Sequence, residues 1–122
     1  MPTKAFEAHV RQHLPRVAVI DLQGEINSFA EASLSAAYAE AEQHNPQAIL
    51  LNFSQVDYIN STGIALIVTL LAKARKAHIN LLTCGLSEHY VEIFNITRLA
   101  DFMSVYPDES TALAARAQEA EA

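Results

Sequence analysis

Residues 48–77 read AILLNFSQVDYINSTGIALIVTLLAKARKA, a strand, a polar loop and a helix in succession. Ala48 to Phe53 is apolar except at Asn52, and a short apolar run of that length predicts a strand. The polar stretch Asp57-Tyr58-Ile59-Asn60-Ser61-Thr62-Gly63 follows, and a helix is expected from Ser61 to Ala77. At about 100° per residue, Ile64, Ile67, Val68 and Leu71 gather on one face and are expected to point to the core. Leu66 and Leu70 then fall on the other side, flanked by Ala77. Exposed leucines one turn apart are candidates for partner contact; the alternative is that another helix of the same domain covers them.

Toward the N-terminus, Phe6, Ala8 and Val10 alternate with Glu7, His9 and Arg11, so Ala5 to Arg11 reads as a strand with one wet face. Leu14-Pro15-Arg16 is the expected turn into a second strand, Val17 to Leu22, where Asp21 is the one polar residue. Such a run predicts burial on both faces, and Gly24 is expected to end it. Ser28 to His44 reads as an amphipathic helix with Leu34, Ala37, Tyr38 and Ala41 on one side, stopped by Asn45-Pro46. Toward the C-terminus come a strand from Ile79 to Cys84, a helix from Ser87 to Thr97, and a short strand from Phe102 to Tyr106. A last helix runs from Asp108, its expected N-cap, to about Gln118. Alternation of this kind specifies the α/β class, here a single-domain sandwich with a mixed, mostly parallel sheet of about five strands and about four helices. One domain is expected over residues 1–122, with a C-terminal helix and frayed tail from about 108 to 122.

Composition supports a folded chain. Of 122 residues 51% are hydrophobic, and three Gly and four Pro are too few for a disordered polymer. A chain of this length buries roughly two-thirds of its unfolded surface without staples. Cys84 is the single cysteine, which excludes an intrachain disulfide and, with no secretory leader pattern, leads to a cytoplasmic expectation. The longest apolar candidate, Ile64 to Leu71, is interrupted by Thr69 and falls short of a membrane span. A net charge of −6 disfavours nucleic acid, whose binding begins with neutralising phosphates. No membrane or nucleic-acid partner is therefore expected.

The loop before the second helix carries the chemistry. Functional groups of open α/β sheets gather beyond the carboxyl ends of the strands, and Ser61 is expected at the first turn of its helix. Unpaired N–H groups and the positive end of the dipole favour an oxygen or an anion there. A phosphate on Ser61 fits that position and adds about −1.5 to −2 charge. Gly63, lacking Cβ, leaves room for another backbone or for a kinase active site. The plainer reading makes Asn60 or Ser61 merely an N-cap.

Ile59-Asn60-Ser61-Thr62-Gly63-Ile64, after a hydrophobic strand and Val56-Asp57-Tyr58, resembles the signature loop of the STAS domain, in particular of the bacterial anti-sigma-factor antagonists. Asp21-Leu22-Gln23-Gly24-Glu25-Ile26-Asn27 is similar to the family's Gly-Glu-Leu-Asp loop. Phe94 to Phe102, with Tyr106-Pro107-Asp108, is similar to its later helix, turn and strand. The resemblance implies that Ser61 accepts phosphate, with Thr62 as second choice. It implies an unphosphorylated form that binds an anti-sigma factor/serine kinase, release on phosphorylation, and resetting by a serine phosphatase of the metal-dependent type. Asn60, Thr62 and Gly63 then shape the loop, while Glu25, Asn27, Leu66 and Leu70 are the candidate partner contacts. Asn60 departs from the Asp usual in the family and removes a charge beside the phosphate. A non-cycling scaffold or transporter-associated STAS subunit is the alternative. Partner-switching modules of this kind also act on targets other than sigma factors, and a free monomer is expected.

Other signals point nowhere specific. His9 and His13 lie on a strand entering a turn with no third ligand nearby, and His44, His78 and His89 are scattered, so no metal is expected. Three glycines without a Gly-x-Gly-x-x-Gly or P-loop pattern give no nucleotide cradle, and no cofactor is expected. Cys84 ends an apolar strand with no basic neighbour in sequence, the setting of a core thiol. Glu25 and Asn27 bring no histidine base to Ser61, so an enzyme is not expected.

Overall fold

The computed structural model describes residues 5–13 and 16–121, the side chains of 118–121 excepted. Five strands, β1 (Glu7–His13), β2 (Val17–Ile26), β3 (Ala48–Ile59), β4 (Asn80–Cys84) and β5 (Ser104–Tyr106), form one sheet in sequential order. Four α-helices, α1 (Glu31–Glu42), α2 (Ser61–Lys76), α3 (Glu88–Ile96) and α4 (Glu109–Glu121), connect or follow them. β1 and β2 are antiparallel, and every later pair is parallel. Leu14 and Pro15 of the expected turn lie outside the described residues, as does Ala122.

Sequential order settles where the helices go. A parallel crossover is right-handed, so three crossovers stepping the same way across the sheet put α1, α2 and α3 on one face. The side chains agree: Ala18, Ile20, Leu22, Ile49, Leu51 and Phe53 share a core with α1, α2 and α3. The alternate residues Val17, Val19, Ala48 and Leu50 turn to the opposite face, where Ala112 and Leu113 of α4 meet them. Period-two alternation thus divides a continuously apolar strand between two cores.

An ionic clamp holds α4 in place. Arg11 on β1 donates from Nε to Asp21 Oδ2 at 2.5 Å and from Nη2 to Glu109 Oε1 at 2.6 Å. Asn52 Nδ2 donates to the other Asp21 oxygen at 2.9 Å. Asp108 caps α4, as expected, by accepting from the Thr111 amide at 2.8 Å.

Several boundaries differ from the sequence expectation. β2 passes through Gly24 to Ile26, and β3 passes Phe53 to Ile59, because the two extensions pair with each other. The register shifts between Asp21 and Gln23 and again between Gly24 and Glu25, and Gly24 takes a φ of 90° there, as a bulge requires. A 3-10 turn, Ser28–Ala30, precedes α1, and another, Leu99–Asp101, takes the chain to β5. α4 continues to Glu121, through most of the stretch expected to fray.

The phase of α2 is a correction. Its buried residues are Gly63, Ile67, Leu70, Leu71 and Ala74, so the expected Ile67 and Leu71 do face the core and half-buried Ile64 packs at its margin, but the line is rotated toward Leu70 and leaves Val68 outside. Leu70 is 2% exposed, whereas Val68 is 44% exposed. Leu66 is half-buried and packs on the same core. Leu70 is therefore a core residue and not a partner contact, because it lies on the side of the helix that carries the buried small residues Gly63 and Ala74, Gly63 directly against the end of β2.

Candidate functional site

The carboxyl ends of β2 and β3 converge on the first turn of α2. Glu25 pairs with Tyr58 and Ile26 with Ile59 in the ladder. The next amide, Asn60 N–H, donates to the Ile26 carbonyl at 3.2 Å. Gly63 packs so tightly on the same strand end that a Cβ there would lie 2.2 Å from the Ile26 oxygen. Of the two uses read for this glycine, close approach of another backbone is the one the fold makes. α3 braces the junction from the other side. The Tyr90 hydroxyl accepts from the Ile59 amide at 2.8 Å and lies 3.3 Å from the Ile59 carbonyl, to which it donates.

The cap and the candidate acceptor are separate residues. Asn60 Oδ1 accepts from the Gly63 amide at 2.8 Å, and its extended backbone makes it the N-cap of α2. Ser61 is the first helical residue. It is exposed, and its hydroxyl makes no hydrogen bond among the described residues. Thr62 is likewise exposed. At this point of a helix the Ser61 and Thr62 amides have no intrahelical acceptor, and the dipole favours negative charge. The hydroxyl is therefore a reachable group at a site that tolerates an anion, and no base is bonded to it.

Glu25 and Asn27 come to the same edge with different duties. Asn27 caps the 3-10 turn, its Oδ1 accepting from the Phe29 amide at 2.9 Å, while its Nδ2 donates to Glu25 Oε1 at 3.2 Å. Asn27 is thus engaged in shaping the β2 end, and half-buried Glu25 is held by it. The turn it builds presents Phe29, 91% exposed. Sequence reasoning missed Phe29 because one aromatic in a polar turn breaks no periodicity; the available signal was Asn27-Ser28, an Asx-type cap that fixes the next residue outward. Tyr58 and Val68, 52% and 44% exposed, complete the apolar groups left in solvent near this edge of the sheet and along α2.

The remaining singled-out residues sit elsewhere. Cys84 is buried at the end of β4, and burial, with the charges of Glu109 and Asp108, pushes its thiol up to about 11, so it is protonated at neutral pH. His9 and His13 are exposed on β1, His44 and His78 lie in turns after helices, and His89 stacks edgewise on Tyr90 with ring centroids 4.9 Å apart. Among the described residues no helix is long and apolar enough to cross a membrane.

Known proteins share this arrangement. The chain is 29% identical over 96 residues to a protein of Bordetella bronchiseptica named as an anti-sigma factor antagonist, BtrV, covering 79% of this chain and 80% of that one. Among solved structures, a sulfate transporter family protein from Wolinella succinogenes superposes with a TM-score of 0.78 at 18% identity, over 92% of this chain and 93% of that one. The Bacillus cell fate determinant SpoIIAA in its phosphorylated form superposes with a TM-score of 0.68 at 21% identity, over 90% and 97%. The STAS domain model matches residues 8–112, a span that runs from β1 into α4 and includes the whole β2–β3–α2 junction. With sequence, sheet order and junction in agreement, the chain belongs to the STAS domain family.

Proposed function

We propose that this protein is an anti-sigma-factor antagonist switched by phosphorylation at Ser61. The observation that carries the reading is the division of labour at the helix start: Asn60 caps α2, so the exposed Ser61 hydroxyl has no structural duty. The unmodified protein binds an anti-sigma factor that is also a serine kinase. Phosphoryl transfer forms the Ser61 Oγ–P bond and breaks the β–γ bond of ATP, leaving ADP, with the hydroxyl proton taken by the kinase. A doubly charged group then stands in the contact surface, where like-charge repulsion and desolvation weaken the complex. A metal-dependent serine phosphatase restores the hydroxyl. Support comes from the relative named as an anti-sigma factor antagonist. SpoIIAA, of the same fold, has itself been solved in a phosphorylated form.

In this reading the chain has no catalytic residue; Ser61 is a substrate group, since no base activates it. Thr62 is the second acceptor, and Glu25 stands at the contact edge. The protein acts as a cytoplasmic monomer over a single domain. The test is binding to the purified kinase: Ser61→Ala should bind as well as wild type, and Ser61→Asp about tenfold or more weaker. Equal binding by Ser61→Asp would contradict the switch. The likeness to a sulfate transporter family protein supports a second reading, a STAS subunit of a larger assembly that does not cycle. Stable co-purification with a membrane complex, unchanged in Ser61→Asp, would favour it.

A further inference from the structure

Phe29 is the most exposed large apolar side chain among the described residues, and its direction is built into the backbone. Asn27 accepts twice at 2.9 Å, from the Phe29 amide through Oδ1 and from the Ala30 amide through its carbonyl. Ala30 is fully buried. Turning the Phe29 ring inward would break both bonds and bring Ala30 into solvent. The Asn27 side chain is itself steadied by its bond to Glu25. The 3-10 turn therefore holds the ring out as a fixed projection.

That projection stands beside the candidate acceptor. The first turn of α2 is fastened to Ile26, whose carbonyl accepts from the Asn60 amide and meets Gly63. Phe29 lies three residues beyond Ile26, which limits the separation of their Cα atoms to about 11 Å. The turn that carries it also packs on α2. An interface of ordinary size covers about 800 Å² of each partner, a disc of roughly 16 Å radius, so a protein seated on Ser61 reaches Phe29. Phe102, another exposed aromatic, sits by Arg75 in the last turn of α2, roughly 20 Å along the helix from Ser61. A rigidly presented aromatic is well suited to anchor a complex, because its burial removes much apolar area from water and orders little that was mobile.

We infer that Phe29 is the anchor by which the kinase grips this protein, seated in an apolar socket beside the kinase's phosphoryl-transfer cleft. The inference rests on the reading of Ser61 as the phosphate acceptor. Phe29 touches no reacting atom and is a positioning residue. Its contact stabilises the bound ground state and the transition state alike, so it sets affinity and leaves the transfer step within the complex unchanged.

The test is the initial rate of Ser61 phosphorylation, read by mass spectrometry, at increasing concentrations of the full chain. ATP and a fixed amount of lysate from its own organism, deleted for the endogenous copy, supply the kinase. Phe29→Ala should raise the half-saturating concentration at least about tenfold and keep the plateau rate within about twofold of wild type. Phe29→Tyr, which keeps the ring, should stay close to wild type. Phe102→Ala should also match wild type, which separates an anchor from a general loss of apolar surface. Phe29→Ala should unfold at the wild-type temperature, because the ring it removes is exposed. An unchanged half-saturating concentration in Phe29→Ala, or a loss confined to the plateau rate, would overturn the anchor and leave Ser61 as acceptor. No phosphate on Ser61 of the wild type would overturn the acceptor reading and the anchor with it.

Discussion

Asn60 and Ser61 are adjacent, similar in polarity and both good helix starters, yet only Asn60 bonds the helix, through Oδ1 and the Gly63 amide. Sequence reasoning left the cap between them because helix starts are ambiguous by a residue or two. The choice is made by the strand end. Pairing of Ile26 with Ile59 and the Asn60 amide bond to Ile26 hold residue 60 extended, the backbone a cap requires. Replacing Asn60 by Ala should therefore cost about 1 kcal/mol, whereas Ser61→Ala should change stability by less than about 0.5 kcal/mol. Urea denaturation of the two variants measures both. A Ser61→Ala loss as large as the Asn60→Ala loss would return Ser61 to a structural role.

Among the elements, α2 shows how a correct helix can be read with the wrong rotation. Its existence and length are legible from Ser61 to Ala77, but weighting large apolar residues centres the core stripe on Ile64, Ile67, Val68 and Leu71, of which Ile67 and Leu71 are buried, Ile64 is half-buried on the core and Val68 is exposed. Gly63 and Ala74, too small to weigh in such a count, are both buried, Gly63 directly against the end of β2, and Leu70 lies on their side of the helix. Leu70→Ala should cost about 2–5 kcal/mol by leaving a cavity. Val68→Ala should stay within about 0.5 kcal/mol, as exposed substitutions do. Thermal unfolding of the pair would establish the rotation. The strand extensions escaped the sequence reading for a related reason. Ser54, Gln55, Asp57 and Tyr58 are exposed, and a half-wet strand end after a buried run looks like a loop until its partner, residues 23–26, is known.

For the whole molecule, the α/β order predicted the parallel sheet, and the handedness rule placed three helices on one face. What the chain order did not disclose was the ionic clamp joining β1, β2 and α4, because Glu109 is distant in sequence from the hairpin that carries Arg11 and Asp21. Arg11 hydrogen bonds, with a further one from Asn52, hold the Asp21 carboxyl below its usual range. A carboxyl lowered in the folded state adds stability that is complete above its unfolded value of about 4 and disappears as pH falls through the lowered value. Wild type should therefore lose melting temperature on acidification below pH about 4 more steeply than Asp21→Asn, which should be less stable at neutral pH by about 1 kcal/mol. Parallel pH profiles for the two would show that the clamp contributes nothing.

The ends of β2 and β3, braced by α3 through Tyr90 and Ile59, meet at the helix start that exposes Ser61, and the function proposed for the protein rests on the Ser61 hydroxyl. The most direct measurement is phosphosite mapping by mass spectrometry after incubating the purified protein with ATP and a lysate of its own organism. The account predicts phosphate on Ser61 and none in the Ser61→Ala variant at any position. Phosphate on Thr62 would keep the mechanism and move the acceptor by one residue. No phosphate under several growth conditions, with Ser61→Ala behaving as wild type, would contradict the switch and leave Asn60-Ser61 as the start of a helix.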